Sequence, residues 1–289
     1  MDRLLGRLIA AQARWARPFG DFNIRWVSAL FRPVMPLRDF LNGRWIGHPL
    51  HALLTDVPIG ALFVVIVLDL VGQRTAADVA LVIGILAMIA SAIAGLADYS
   101  TTDGTARERA TLHGTLMVLS LLVYLASLAL RASGGDGRTA ATATSIVGFL
   151  ILSAGAYVGG DVVYVLGNMV SRHAFRGASS KWIALEPAEL DDERNIPEGR
   201  PIKAKLGINT LALVRQGDTV MALHDQCAHA GTPLSGGTIE DGCLVCPSHG
   251  SRFRLTDGRA SRGPTVYDQP AYDVRRNEAG GWEARRQAG

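Results

Sequence analysis

The sequence predicts a multi-domain membrane protein: an N-terminal four-helix transmembrane bundle with interfacial helices, followed by a small C-terminal all-β domain. Three observations carry that prediction. Residues 1–180 hold four long apolar stretches and no Cys, whereas residues 181–289 are polar, rich in Gly and Asp, and hold all three Cys. The apolar stretches approach the roughly 20 residues that a helix needs to cross a bilayer. Near the C-terminus, Cys227-x-His229 and Cys246-x-x-His249 flank residues 230–245, which puts two thiols and two imidazoles into one short window with the character of a metal-ligand set. At 289 residues, the chain has room for about two domains.

Taken in order, Leu4, Leu5, Leu8, Ile9 and Trp15 lie within helical reach of one another, while Arg3, Arg7 and Arg14 fall elsewhere. That is the pattern of an interfacial helix. Phe22, Ile24, Trp26, Val27, Leu30 and Phe31 form a second candidate, ended by Pro33 and Pro36. Simple packing of both helices against the bundle is the competing reading. The first 47 residues are studded with Arg and lack an uninterrupted apolar core, so they do not read as a secretory leader. Three spans are free of charge over 79–97, 114–130 and 139–160, whereas the first, over about 53–71, contains Asp56 and Asp69. Asp69 reads as interfacial and His173 as juxtamembrane and solvated. The expected domains are an interfacial segment 1–47, a bundle 48–173, a linker 174–181 around Gly177-Ala178-Ser179-Ser180, and a β domain 182–287.

Residues 1–180 carry 15 Arg against 11 acidic residues, and residues 181–289 carry 14 Arg plus Lys against 15. No Lys/Arg cluster with interleaved aromatics occurs in the second half, which argues against a nucleic-acid partner. The N-terminal segment, the connection 99–109 and the segment after the fourth span hold thirteen Arg and Lys residues, against Arg74, Arg131 and Arg138 on the opposite side. By the positive-inside rule both termini and the β domain face the cytoplasm of a bacterial-type inner membrane.

Within the β domain, strand candidates are 211–215, 219–224, 243–246, 253–255, 272–275 and 282–285, punctuated by Asp241-Gly242, Asp257-Gly258 and Gly280-Gly281. Each ligand pair falls just beyond a strand. Two hairpin tips there can clasp a cluster, with Gly231, Pro233, Gly236, Pro247 and Gly250 supplying tight turns. A zinc site competes, because Cys243-x-x-Cys246 has structural-zinc spacing; otherwise Cys243 is a buried strand thiol. His224 reads as a strand residue.

The boxes Cys-Ala-His-Ala-Gly-Thr at 227–232 and Cys-Pro-Ser-His-Gly-Ser at 246–251 make the stretch 182–285 resemble a Rieske domain. That resemblance implies a 2Fe-2S cluster with Cys227 and Cys246 on one iron and His229 and His249 on the other. It also implies exposed His edges toward a redox partner and transfer of single electrons, at a potential raised by the neutral imidazoles. The respiratory type of this family has a further Cys in each box, joined as a disulfide; Thr232 and Ser248 stand at those places. Of its two hydroxyl donors to the cluster sulfurs, Ser251 is retained and a Tyr is replaced by Phe253. Fewer donors predict a potential in the lower half of the roughly −150 to +300 mV span of such centres. A Rieske oxygenase needs a large catalytic domain, and the forty residues after His249 contain no further His. An electron-transfer component is therefore expected, rather than a stand-alone catalyst.

The stretch 41–175 resembles a bacterial four-helix membrane-domain family of uncharacterised function that is sometimes fused to Rieske domains. The matching residues are Gly-His-Pro-Leu-His at 47–51, Thr-Asp-Val-Pro-Ile-Gly at 55–60, Gly-Leu-Ala-Asp-Tyr at 95–99, His113, and Gly-Gly-Asp-Val-Val-Tyr at 159–164. Four antiparallel helices bring His48, His51, Asp56, Asp98, His113 and Asp161 to one membrane face, and ionisable groups inside spans usually have a role. His51 and His113, with His48 nearby, are candidate ligands of a haem b in the bundle. A quinone pocket, another metal, and pairing of the imidazoles with Asp56 or Asp98 are the other readings. The expected function is single-electron transfer between a cytoplasmic donor or acceptor protein and a membrane carrier, haem or quinone, within the lipid bilayer. The alternative is an iron–sulfur redox sensor that regulates a membrane transporter or channel.

Overall fold

A computed structural model of the chain describes residues 4–133, 137–174, 181–186 and 196–287. Arg3, Arg176 and the linker residues Gly177 to Ser180 lie outside the described residues. Two compact units emerge, residues 1–43 with 49–168, and residues 44–48 with 169–289.

The first unit is helical. It opens with α1 (Leu4–Ala11), α2 (Ala13–Phe31) and α3 (Met35–Leu41), then continues as α4 (Leu50–Leu70), α5 (Arg74–Tyr99), α6 (Gly104–Ala132) and α7 (Gly137–Gly160). The last four are long and apolar enough to cross a membrane, α7 with the help of a π turn over Asp161–Val165. Helix α2 begins well before the expected second amphipathic stretch and carries Pro18 inside it. Its buried face, Ala16, Gly20, Val27 and Phe31, recurs at helical spacing and packs on α5 and α6. That burial holds the helix together across the proline. The Tyr99 hydroxyl donates to the Gly20 carbonyl at 3.2 Å, and Asp21 pairs with Arg107 at 2.7 Å. Phe19, Phe22, Trp26 and Leu30 stay exposed on the other side, so packing and an outward apolar face coexist in one helix. Pro36 begins α3 instead of ending α2, since the first turn of a helix tolerates the missing N–H.

Helices α4 and α5 form one hairpin and α6 and α7 another; α4 also packs on α7, and α5 on α6. This leaves α4 and α6 diagonal across the bundle. Small polar residues tie neighbouring helices in place of the hydrophobic effect, which has little purchase in lipid. Ser120 Oγ donates to the Gly148 carbonyl at 2.9 Å, and Ser127 Oγ to the Ala141 carbonyl at 2.8 Å. At the end formed by the C-termini of α4 and α6, Arg131 reaches both Asp69 and Asp78, and Arg138 reaches the same two carboxylates at 2.8 and 2.7 Å. Asp69 and Arg131 are 1% and 2% exposed in their side chains, so Asp69, at the end of α4, is a buried ion-pair partner. A sequence shows Asp69 near a helix end but not the two guanidiniums that converge on it.

The second unit is built on antiparallel sheets. Its strands are β1 (Ile183–Ala184), β2 (Ile202–Leu206), β3 (Asn209–Gln216), β4 (Thr219–His224), β5 (Thr238–Glu240), β6 (Cys243–Val245), β7 (Arg252–Arg254), β8 (Ala260–Arg262), β9 (Ala271–Arg276) and β10 (Trp282–Arg286). One sheet has the order β1-β10-β9-β4-β3-β2 and the other β5-β6-β7-β8. Strand β3 explains how the two are coupled. Leu211 and Leu213 point into one core with Trp282 and Ala284, while Ala212 and Val214 point into a second core with Leu244, Phe253, Cys227 and Cys246. Residue alternation sends successive side chains to opposite faces, so this strand is buried on both. The second core places the ligand loops at its margin. Asp241, in left-handed backbone conformation at φ 50, and Gly242 turn β5 into β6, as an Asp-Gly hairpin requires.

Candidate metal centre

The two boxes lie in the loops after β4 and β6, and they fold alike. Cys227 N–H donates to the Thr232 carbonyl at 3.0 Å and Gly231 N–H to the Cys227 carbonyl at 2.9 Å. In the second loop, Cys246 N–H donates to the Ser251 carbonyl at 2.9 Å and Gly250 N–H to the Cys246 carbonyl at 3.1 Å. Identical spacing gives each cysteine the same knuckle, closed by a glycine at positive φ, 83 for Gly231 and 74 for Gly250. Thr232 and Ser248 then join the two loops through hydroxyls 2.8 Å apart.

Within this frame the ligand candidates gather as pairs. The Cys227 and Cys246 thiols are hydrogen-bonded to each other, and the His229 and His249 rings stand edge to face with centroids 5.0 Å apart. Among the described residues no group of three or more His, Cys, Asp or Glu converges on one metal-sized point. Two pairs, each able to serve its own iron, are what a 2Fe-2S cluster with mixed ligands needs, so the residues fit that group. A mononuclear zinc site asks for four ligands at one point. Cys243 takes no part, since it faces Ser261 Oγ at 3.4 Å within the strands.

The electrostatics suit anionic sulfur. The bond from the Cys227 thiol, with the Ser248 and His249 amides and the Thr232 hydroxyl, holds the Cys246 thiol below its ordinary range despite burial. Cys227, the donor of that bond and itself buried, is pushed up. Its sulfur still receives the His229 and Ala230 amides. Amides aimed at both sulfurs would serve equally to stabilise a bound cluster. Ser251, fully buried, accepts the Thr265 N–H at 3.3 Å, which leaves its own O–H to donate. Of the two imidazoles, His249 is half-buried whereas His229 is 6% exposed. Only His249 thus offers the accessible edge expected of both.

Two supporting residues escaped the sequence reading. The Gln269 side chain accepts the Ala228 N–H at 2.8 Å and donates to the carbonyls of His224 and Gln226 at 2.6 and 2.7 Å. It braces the first box from forty residues away, and no local pattern announces it. Asp225 accepts the Ser235 N–H at 2.7 Å and fixes the return of the same loop. His224 closes β4 as expected. His173, however, is not solvated: it is buried, with its ring centroid 4.6 Å from that of His224.

In the helical unit, His51 and His113 come together with ring centroids 6.1 Å apart. His48 lies exposed in the turn before α4 and belongs to the second compact unit. The acids do not serve the imidazoles. Asp98 accepts from Asn42 Nδ2 at 2.7 Å, Asp161 pairs with Arg109, and Asp56 is exposed.

Residues 47–172 match the family described as "Predicted membrane protein (DUF2231)", and residues 186–273 match "Rieske [2Fe-2S] domain". The β unit is 33% identical over 78 residues to the anthranilate 1,2-dioxygenase ferredoxin subunit of Burkholderia cepacia, covering 27% of this chain and 72% of that protein. It is 31% identical over 97 residues to the ferredoxin component of the naphthalene 1,2-dioxygenase/salicylate 5-hydroxylase systems of Ralstonia sp, covering 34% of this chain and 88% of that one. The chain belongs to the Rieske family. The solved ferredoxin of carbazole 1,9a-dioxygenase from Nocardioides aromaticivorans IC177 is matched over 100% of its length and 38% of this chain, at 24% identity and a TM-score of 0.31. This Rieske chain therefore couples a ferredoxin-type electron-transfer domain, with its 2Fe-2S cluster, to a DUF2231 membrane domain.

Proposed function

We propose that the protein is a membrane-anchored Rieske ferredoxin that passes single electrons between a cytoplasmic redox protein and a carrier in the bilayer, haem or quinone. Cys227 and Cys246 hold one iron and His229 and His249 the other, with the cluster domain over 182–287 and the membrane domain over 48–173. The observation that carries this reading is the pair of matched knuckles, which present two thiols and two imidazoles as separate pairs. Bound there, the cluster supplies a one-electron store. The protein's own residues do the rest. Amides of His229, Ala230, Ser248 and His249 stabilise negative sulfur, and Ser251 donates from within the core. His249 gives an electron partner its accessible edge.

The cluster domain and both termini face the cytoplasm in this reading. The reading rests on the Arg and Lys count, thirteen on the side of the termini against Arg74, Arg131 and Arg138 on the other. Two experiments test the proposal. Anaerobic reductive titration of the full chain should take up one electron per cluster, and a reporter fused to the C-terminus should read as cytoplasmic. A periplasmic reporter signal would reverse the assigned sidedness.

A further inference from the structure

The DUF2231 bundle holds a second candidate site, built from the two histidines on its diagonal helices. His51 enters from the start of α4 and His113 from α6, and neither imidazole meets a carboxylate. His51 Nδ1 is 2.9 Å from the Ser91 carbonyl, with Ser91 Oγ at 3.2 Å, and His113 Nδ1 is 2.8 Å from the Gly155 carbonyl. A carbonyl only accepts, so the proton of each ring is on Nδ1. Each Nε2 is left with a bare lone pair, and no hydrogen bond to either is found among the described residues. An Nδ1–H held by a main-chain carbonyl is the arrangement that orients a metal-ligating imidazole and sharpens its basicity.

The surrounding helices make room for these rings. A Cβ on Gly95 would lie 3.0 Å from two His51 ring atoms, and one on Gly159 would lie 2.8 Å from His113 Nδ1. Each ring thus rests directly on the backbone of a neighbouring helix, α5 for His51 and α7 for His113. Both histidines are only partly buried. A lone metal ion is a poor fit, because among the described residues no third His, Cys, Asp or Glu joins the pair. Haem needs only two axial ligands. With metal–imidazole bonds of about 2 Å and roughly 1 Å from nitrogen to ring centre, two trans imidazoles stand about 6 Å apart, in keeping with the 6.1 Å seen.

We propose that His51 and His113 are the axial ligands of a b-type haem held across the α4–α6 diagonal. This rests on the reading of the chain as an electron carrier and names the carrier within the membrane. The test uses the full chain purified from haem-depleted cells and titrated with hemin. Saturable uptake of one hemin per chain is expected, with a low-spin ferric EPR signal from two imidazoles. H51A and H113A should each lower hemin affinity at least tenfold while the EPR signal of the iron–sulfur centre stays unchanged. A wild-type titration without saturable binding, or a bound hemin that is high-spin, overturns the proposal without any variant. So does equal affinity in both variants, which marks micelle partition, or a quinone that co-purifies in place of haem and is lost on substitution. The two proposals fail separately, since loss of the iron–sulfur signal with hemin binding intact indicts the cluster reading alone.

Discussion

The β unit gathers its four ligand candidates on two loops whose cysteines are nineteen residues apart, whereas the helical unit brings together two imidazoles sixty-two residues apart in sequence. Each unit positions its side chains by a different means. In the loops, the main chain itself is the scaffold, with matched Cys and Gly hydrogen bonds and amides aimed at sulfur. In the bundle, rigid helices carry the histidines, and glycines on the neighbouring helices set how closely the rings approach. A loop site concentrates its chemistry in a short motif; a helix site disperses it among residues that look ordinary one at a time. Damage to one site should therefore leave the other standing.

The largest expected effect is Cys246→Ser, which should abolish the cluster, taking iron and acid-labile sulfide from two each per chain to near zero while the helical unit stays folded. Retained sulfide and visible absorbance would break the comparison at its first term. Next comes Arg131→Ala in the bundle. Arg138 still reaches Asp69 after the change, so the cost stays below the about 3–5 kcal/mol of an orphaned buried charge, to be seen as a lower unfolding midpoint with the iron–sulfur spectrum unchanged. Gln269→Leu should follow, since it strips the buried Ala228 N–H of its side-chain partner, at about 1–3 kcal/mol. Faster cluster loss at moderate temperature is its readout. Thr232→Val removes the hydroxyl bridge between the loops and should cost only about 0.5–1.5 kcal/mol. The smallest change is electronic: Phe253→Tyr should raise the midpoint potential by supplying a donor near the sulfurs, whereas Ser251→Ala should lower it. A native midpoint above about +200 mV, within the −150 to +300 mV span of Rieske centres, would contradict the argument from missing donors.

Legibility in the sequence followed the same division. Four ligand candidates, both glycine turns and the strand before each box could be read from local pattern, because the chemistry and the backbone it needs are contiguous. Strands β1, β2, β5 and β8 were not expected, and β1 is only two residues long. β5 and β8 are three residues long, and Lys203 and Lys205 interrupt the apolar pattern of β2. Sheet pairing, not propensity, defines such strands. Gln269 was invisible for a related reason, since its three partners lie at the end of β4 and in the loop after it, more than forty residues earlier. The four spans were legible from apolar length. Their inner pairings were not, because hydropathy records that Asp69 is costly in a span but not that Arg131 and Arg138 repay it. The N-terminal helices show the same limit: the second amphipathic stretch was expected from Phe22, whereas burial of Ala16 and Gly20 against the bundle carries α2 back through Pro18.

Low-temperature EPR of the purified, reduced full chain, paired with iron, sulfide and zinc analysis of the same sample, tests the central claim most directly. The account predicts a Rieske-type signal integrating to one spin per chain, with two irons and two sulfides and no stoichiometric zinc. Protein that stays colourless and EPR-silent after expression with ample iron, or that carries zinc in iron's place, would contradict it.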